Sequence, residues 1–285
     1  MIVWLASYPK SGNTYLRALL SGYLFSKDGN FDFTLLRNIS QFPDKVFFKD
    51  LNINLNNNSE VAKNYINAQN NLNKGHKTIQ FFKTHSAFCK IDGHNFTDLQ
   101  NTLGVIYIVR DPRNVVTSLT HHYSLNYNKA FEHMINIDSS LLEKSHELDH
   151  SNFTYLNSWS NHYKSWKNNT MFEILFIKYE DLQKEKEDTF KKILLYINKL
   201  KKQDLKIDEN KFMNSIRSTN FSNLKNKELN EGFDEKVSSK KTGKVINFFN
   251  LGFNNRWQKL LPSGIKEKLI KKFEKELKEL NYFYE

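Results

Sequence analysis

The opening twenty-four residues constrain the chain most. Met1-Ile2-Val3-Trp4-Leu5-Ala6-Ser7 is an apolar run, Tyr8-Pro9-Lys10-Ser11-Gly12-Asn13-Thr14 is broken by proline and glycine, and Tyr15 to Leu24 resumes an apolar pattern. Leu16, Leu19, Leu20, Tyr23 and Leu24 fall at i, i+3, i+4, i+7 and i+8, one buried face of a helix. A strand, a tight loop and a helix in that order aim several backbone N–H groups at an anion. Lys10 adds a cation to the same spot, and Ser11 and Thr14 add hydroxyls. Short Gly/Ser loops are also ordinary strand-to-helix turns, so spacing has to decide what kind of loop this is.

The nucleoside-triphosphate loop needs Gly, four residues, then Gly-Lys-Ser/Thr. With Gly12 as the second glycine, Ser7 stands at the first and Asn13 at the phosphate-clamping lysine. The basic residue is Lys10, two positions before the glycine, which disfavours a kinase or NTPase. Tyr-Pro-Lys-Ser-Gly-Asn-Thr after an N-terminal strand resembles instead the phosphosulfate loop of the sulfotransferases that use 3′-phosphoadenosine 5′-phosphosulfate (PAPS).

The remaining chain reads as strands alternating with helices. Thr78–His85, Val105–Val109 and Phe172–Lys178 are strand-like, and helices are expected near Asn114–Tyr123, Tyr155–Trp166, Leu182–Leu200, Lys211–Arg217 and after Pro262. This predicts an α/β fold, a doubly wound, mostly parallel sheet with flanking helices, in one domain over residues 1–285. Short helices are expected at Thr34–Ile39 and Ser59–Leu72. Residues 25–75 and 124–152 break the alternation and read as substrate-side insertions, the second a mobile loop or a short-helix lid. Trp159, Tyr163 and Trp166 form a stripe that suits core packing. Ligands of such folds bind beyond the carboxyl ends of the strands, where three of the four end in polar or charged motifs.

Lys and Arg number 42 against 31 Asp and Glu, a net charge of +11. That balance admits nucleic acid, an anionic surface or a polyanionic small ligand. The C-terminal lysines interleave with glutamate as on a solvated helix face, so nucleic acid is not expected. Cys89 is the only cysteine, which excludes an intrachain disulfide and suits a reducing compartment. The chain enters its first strand at once and holds no apolar run of membrane-spanning length, so the expectation is a soluble cytoplasmic protein. No His, Cys and carboxylate cluster has metal-ligand spacing, and no metal is expected.

Further segments match the family, from residue 1 to about residue 244. Arg110-Asp111-Pro112-Arg113-Asn114-Val115-Val116-Thr117-Ser118 resembles its 3′-phosphate motif, which implies that Arg110 and Ser118 hold the phosphate distinguishing PAPS from ATP-like nucleotides. Arginine suits this as a bidentate fork, although Arg110 could instead pair with Asp111 or Asp181. Lys83-Thr84-His85 resembles the catalytic Lys-Thr-His, and a histidine is a fitting base at neutral pH. His121 and His122 are alternative bases among nine histidines. By the same resemblance Tyr179 approaches the adenine, Thr219 and Phe221 face the base, and Tyr15 replaces a stacking tryptophan. Lys241-Thr242-Gly243 stands for an Arg-Lys-Gly loop that also grips the 3′-phosphate, with a point charge where the family has a fork. The family's short dimerisation motif is absent, so oligomeric state stays open.

The resemblance implies a mechanism. Amides of Ser11 to Thr14, with Gly12 and Asn13 between, and the Lys10 ammonium hold the phosphosulfate. Lys10 and Lys83 stabilise developing charge, and His85 deprotonates a hydroxyl (or amine) of a small-molecule or glycan acceptor. Two other readings remain at this point, a Mg²⁺-dependent P-loop kinase or NTPase and a non-enzymatic polyanion-binding protein.

Overall fold

The computed structural model describes residues 1–76, 78–141, 149–204, 206–239 and 242–283. Four strands, β1 (Ile2–Ala6), β2 (Gln80–Thr84), β3 (Thr102–Val109) and β4 (Ile174–Lys178), form a parallel sheet in the order β2-β1-β3-β4. The helices that position the site are α1 (Asn13–Phe25), α2 (Pro112–Tyr123), α3 (Trp159–Lys167), α4 (Tyr179–Lys184), α5 (Lys186–Lys201), α6 (Glu209–Ser218), α7 (Phe221–Glu231) and α8 (Ser263–Glu279). This is the doubly wound α/β arrangement that the sequence predicts.

The inner strands β1 and β3 are apolar along their length because both faces are covered. Period two then divides β1 between two cores. Ile2, Trp4 and Ala6 join residues of α2, α3 and α8, including Trp159, Tyr163 and Trp166. Val3 and Leu5 join residues of α1, α5 and α6 on the other face. Trp4 is fully buried among Phe42, Phe82 and Phe96, and its indole N–H donates to the Thr102 hydroxyl at 2.8 Å. Burying an aromatic side chain with its polar atom satisfied contributes roughly 3 kcal/mol.

Local chemistry moves several boundaries. α3 begins at Trp159 rather than Tyr155, because Asn157 is left-handed (φ 59°) and the Ser158 hydroxyl caps the Asn161 N–H. The expected helix over 59–72 is two, Asn58–Lys63 and Tyr65–Asn73. They part at Asn64, whose side-chain amide turns back to donate to the Glu60 carbonyl. Phe33–Asn38 is a 3₁₀ turn capped by Asp32. Within 124–152 a helix spans Tyr127–Ile135, and residues 142–148 lie outside the described residues. With all four strands parallel, the segments that follow them emerge at one edge: Ser7, His85, Arg110 and Tyr179.

Candidate active site

A cavity of about 410 Å³ opens at that edge. Its floor is the loop after β1, where Lys10 (φ 63°) and Gly12 (φ 100°) both take left-handed backbone. Gly12 is required by more than its φ: a Cβ there would lie 2.2 Å from Cδ2 of Tyr179. Gly12 precedes α1 without a side-chain cap, so the first turn of the helix faces the cavity with its dipole available. The Ser11 hydroxyl is buried with no hydrogen-bond partner among the described residues. The Lys10 ammonium lies 3.8 Å from the centre of the Phe248 ring. Asn13 is tied back to the strand end, donating to the Leu5 carbonyl at 2.8 Å and to Ser7 Oγ at 3.2 Å.

The second cation of the site is Lys83, at the end of β2 and buried. His85 follows, and its Nδ1 lies 2.7 Å from the Ser7 carbonyl. A carbonyl only accepts, so Nδ1 carries the proton and Nε2 keeps a lone pair. Burial, then the Lys83 cation, push the His85 imidazole well below its ordinary pKa, so it is neutral at pH 7. Behind it, His162 Nε2 meets the His85 carbonyl at 2.9 Å, and His162 Nδ1 meets the Tyr107 hydroxyl at 2.8 Å. By the same reasoning Nε2 donates and Nδ1 accepts from Tyr107. Trp166 donates to the Ser86 carbonyl at 3.0 Å, so the segment carrying His85 hangs from α3.

Arg110 closes the far end. One terminal nitrogen donates to the Lys10 carbonyl at 2.8 Å and to Ser118 Oγ at 3.0 Å, while the guanidinium sits 4.4 Å from the centre of the Tyr179 ring. Its Nε is buried without a partner among the described residues. Asp111, beside it, caps α2 and is bridged by Arg113 at 2.7 Å. Glu180, beneath, takes the Asp111 N–H and the Tyr282 hydroxyl.

A model of the sulfotransferase domain matches residues 2–281. The chain belongs to the sulfotransferase family. Luciferin sulfotransferase of Photinus pyralis is 22% identical over 284 residues, covering 94% of this chain and 68% of that protein. Mouse sulfotransferase SULT7A1 complexed with PAP aligns over 97% of this chain and 84% of its own, at 19% identity and a TM-score of 0.57. Retinol dehydratase in complex with androsterone and inactive cofactor PAP aligns over 97% and 80%, at 18% identity and 0.59. At these identities the structural likenesses are of fold.

Within this sulfotransferase the cavity gathers Lys10, Gly12, Asn13, Thr14, Tyr15, Lys83, His85, Arg110, Ser118, Tyr179 and Phe221. Tyr15 meets Tyr179 edge-on, with centroids 6.4 Å apart. Thr219 is elsewhere: fully buried at the end of α6, it donates to the Ser215 carbonyl at 2.6 Å and does not line the cavity. Thr242 and Gly243 are exposed outside the cavity, and Lys241 lies outside the described residues. His121 and His122 both line the cavity, His122 against Phe248 and His121 donating from Nε2 to the Asn247 carbonyl at 3.0 Å.

Sequence reasoning missed Glu235, Phe248 and Asn255. Asn255 Nδ2 donates to Ser118 Oγ at 2.9 Å, buttressing the Arg110 partner. Glu235 meets Arg17 in a close ion pair, Thr14 Oγ1 at 2.7 Å and Lys83 Nζ at 3.3 Å. Its burial alone would raise the carboxyl pKa. The Lys83 and Arg17 cations, with hydrogen bonds from Thr14 and Arg17, outweigh that and hold it well below the usual range. No local motif marks Glu235, which lies 218 positions from Arg17.

Proposed function

We propose that this sulfotransferase moves a sulfuryl group from PAPS to a hydroxyl or amine of a small-molecule or glycan acceptor. The observation that carries the reading is the link from Lys10 through its carbonyl to Arg110 and on to Ser118. It joins the strand-loop-helix that suits one anion to the arginine and serine that suit a second, the two ends of PAPS. The residues present fit such a ligand: the Ser11 hydroxyl and Arg110 Nε are buried donors without partners among the described residues.

PAPS, when bound, supplies an activated sulfuryl group and a bisphosphorylated adenosine as leaving group. The chain's own residues do the rest. Backbone amides at the start of α1, Ser11 and the Lys10 ammonium hold the phosphosulfate end, and Arg110 with Ser118 holds the 3′-phosphate. Tyr15, Tyr179 and Phe221 offer ring faces to the adenine. Lys10 and Lys83 place positive charge where negative charge develops, and a low-dielectric cavity makes those charges count. His85, neutral and with Nε2 free, takes the acceptor's proton. Gln41 and Leu141, one from each insertion, line the same cavity as His85, which supports an acceptor bounded by the two insertions. The mechanism is positioning with preorganised charge, as in phosphoryl transfer.

The test is thermal shift with adenosine 3′,5′-bisphosphate against AMP and ATP, followed by transfer of labelled sulfate from PAPS to an acceptor panel. A selective shift with the bisphosphate is expected. Equal shifts with all three nucleotides, or Mg²⁺-dependent ATP turnover, would overturn the reading.

A further inference from the structure

Glu235 brings a negative charge to the groups that the sulfuryl-donor reading assigns to the donor. Its Oε2 accepts from Thr14 Oγ1 at 2.7 Å, and its Oε1 faces Lys83 Nζ at 3.3 Å. Thr14 belongs to the first turn of α1 and Lys83 to the end of β2. Among the described residues that line the cavity, Asp234 and Glu235 are the only acids, in a lining that also holds the cations Lys10, Lys83, Arg110 and Lys236. The side chain of Glu235 remains a quarter exposed, so it is not locked within the core. It comes from a short segment between α7, which ends before Gly232 (φ 80°), and a two-residue strand at Val237–Ser238.

We propose that Glu235 is a displaceable internal anion: its carboxylate holds Thr14 and Lys83, and the phosphosulfate end of the donor takes them only as the carboxylate withdraws. The proposal rests on the sulfuryl-donor reading and adds a gate to it. Two anions cannot share one hydroxyl proton and one ammonium at contact distance without strong repulsion. The withdrawal has somewhere to go. Arg17, the third partner, lines a second cavity that shares Gln41, Asp234, Glu235 and Lys236 with the first. Glu235 can therefore keep Arg17 while releasing Thr14 and Lys83, and no charge is stranded without a partner. Arg17 itself stays fixed by the Leu36 and Ile39 carbonyls at 3.1 and 2.8 Å.

The geometry separates this gate from a general charge effect, because Glu235 stands on groups for the 5′ end and not on Arg110 or Ser118. The experiment is calorimetric binding of adenosine 3′,5′-bisphosphate and adenosine 3′-monophosphate to the full chain and to Glu235→Gln. The variant is expected to bind the bisphosphate about tenfold tighter or better, while affinity for the 3′-monophosphate changes less than about twofold. Unchanged or weaker bisphosphate binding would overturn the gate and make Glu235 a positioning residue for Lys83. An equal gain for both nucleotides would overturn it as well. Glu235→Asp, shorter by one methylene and still charged for Arg17, gives the same comparison should the Gln variant fail to fold. Wild-type chain that does not prefer the bisphosphate to AMP and ATP would instead bring down the sulfuryl-donor reading, and the gate with it.

Discussion

One terminal nitrogen of Arg110 is shared between the Ser118 hydroxyl, 3.0 Å away, and the carbonyl of Lys10, 2.8 Å away. The strand end thereby holds both the helix that follows it and the loop after the neighbouring strand. Lysine is not equivalent, because an ammonium is a point charge without the planar fork, whose buried Nε is left to meet a phosphate oxygen. Arg110→Lys is expected to weaken adenosine 3′,5′-bisphosphate binding about hundredfold while leaving AMP affinity within about threefold. Calorimetry on both nucleotides checks it, and parallel losses would mean that Arg110 maintains the loop rather than selecting the 3′-phosphate.

The pH profile should expose His85. Burial and the Lys83 cation hold its pKa well below 6.5, so the imidazole stays neutral through the ordinary histidine range. The acid limb of kcat/KM is therefore expected below pH 6.5, not at it, and His85→Ala should cost about hundredfold or more in kcat. Rates with each enzyme from about pH 4.5 to about pH 8 decide between the two. A limb centred at or above 6.5 in the wild type would assign the titration to another group.

The parts of this site legible in the sequence are those whose chemistry is local. Lys10, Ser11 and Gly12 announce themselves because a strand, two left-handed turn positions and a helix start must follow one another within a few residues. Arg110 and Ser118 are eight apart on one strand-to-helix connection, so their meeting is nearly dictated by helix geometry. Glu235 is not legible, because its partners Thr14, Arg17 and Lys83 come from elements that only the folded sheet brings together. Thr219 shows the opposite case, a residue expected at the site that does not line the cavity. A threonine beside a phenylalanine looks like a nucleotide contact, yet its hydroxyl satisfies the last turn of its own helix and turns inward. The helix over 59–72 divides for a similar reason, since Asn64 has a backbone-directed bond that no hydrophobic period records.

His162 should make stability depend on pH. Burial lowers its pKa to about 4, against 6.5 for an ordinary histidine, and the hydrogen bond with the His85 carbonyl only partly offsets this. Between those values the unfolded chain binds the proton and the folded one does not, so stability rises with pH. The contribution is complete above pH 6.5 and is lost as pH falls towards 4, a change on the order of 3 kcal/mol. Urea midpoints at pH 7 and pH 4.5 measure it as a difference between wild type and His162→Gln. The gap between the two proteins should depend on pH in that direction, and a gap independent of pH would remove His162 as the titrating group.

Gly12 packs against Tyr179 in the proposed donor site, and its replacement should disturb both the loop and the ring. A Cβ would stand 2.2 and 2.7 Å from Cδ2 and Cε2 of Tyr179, and the backbone φ of 100° is itself unfavourable for an L residue. The ring has little room to yield, since Arg110 lies over one face at 4.4 Å and Gln183 holds the hydroxyl at 2.9 Å. Gly12→Ala is expected to cost about 2–4 kcal/mol in stability, part from the left-handed backbone and part from the collision. Donor binding should fall with it, because the displaced ring carries the Arg110 guanidinium away from Ser118. Tyr179→Ala in the same chain removes the collision and leaves the backbone cost, so the double variant should regain part of the stability and none of the nucleotide affinity. Chemical denaturation and bisphosphate titration of the two variants separate the contributions. Full recovery of binding in the double variant would show that the ring was only an obstacle and that Tyr179 takes no part in holding the nucleotide.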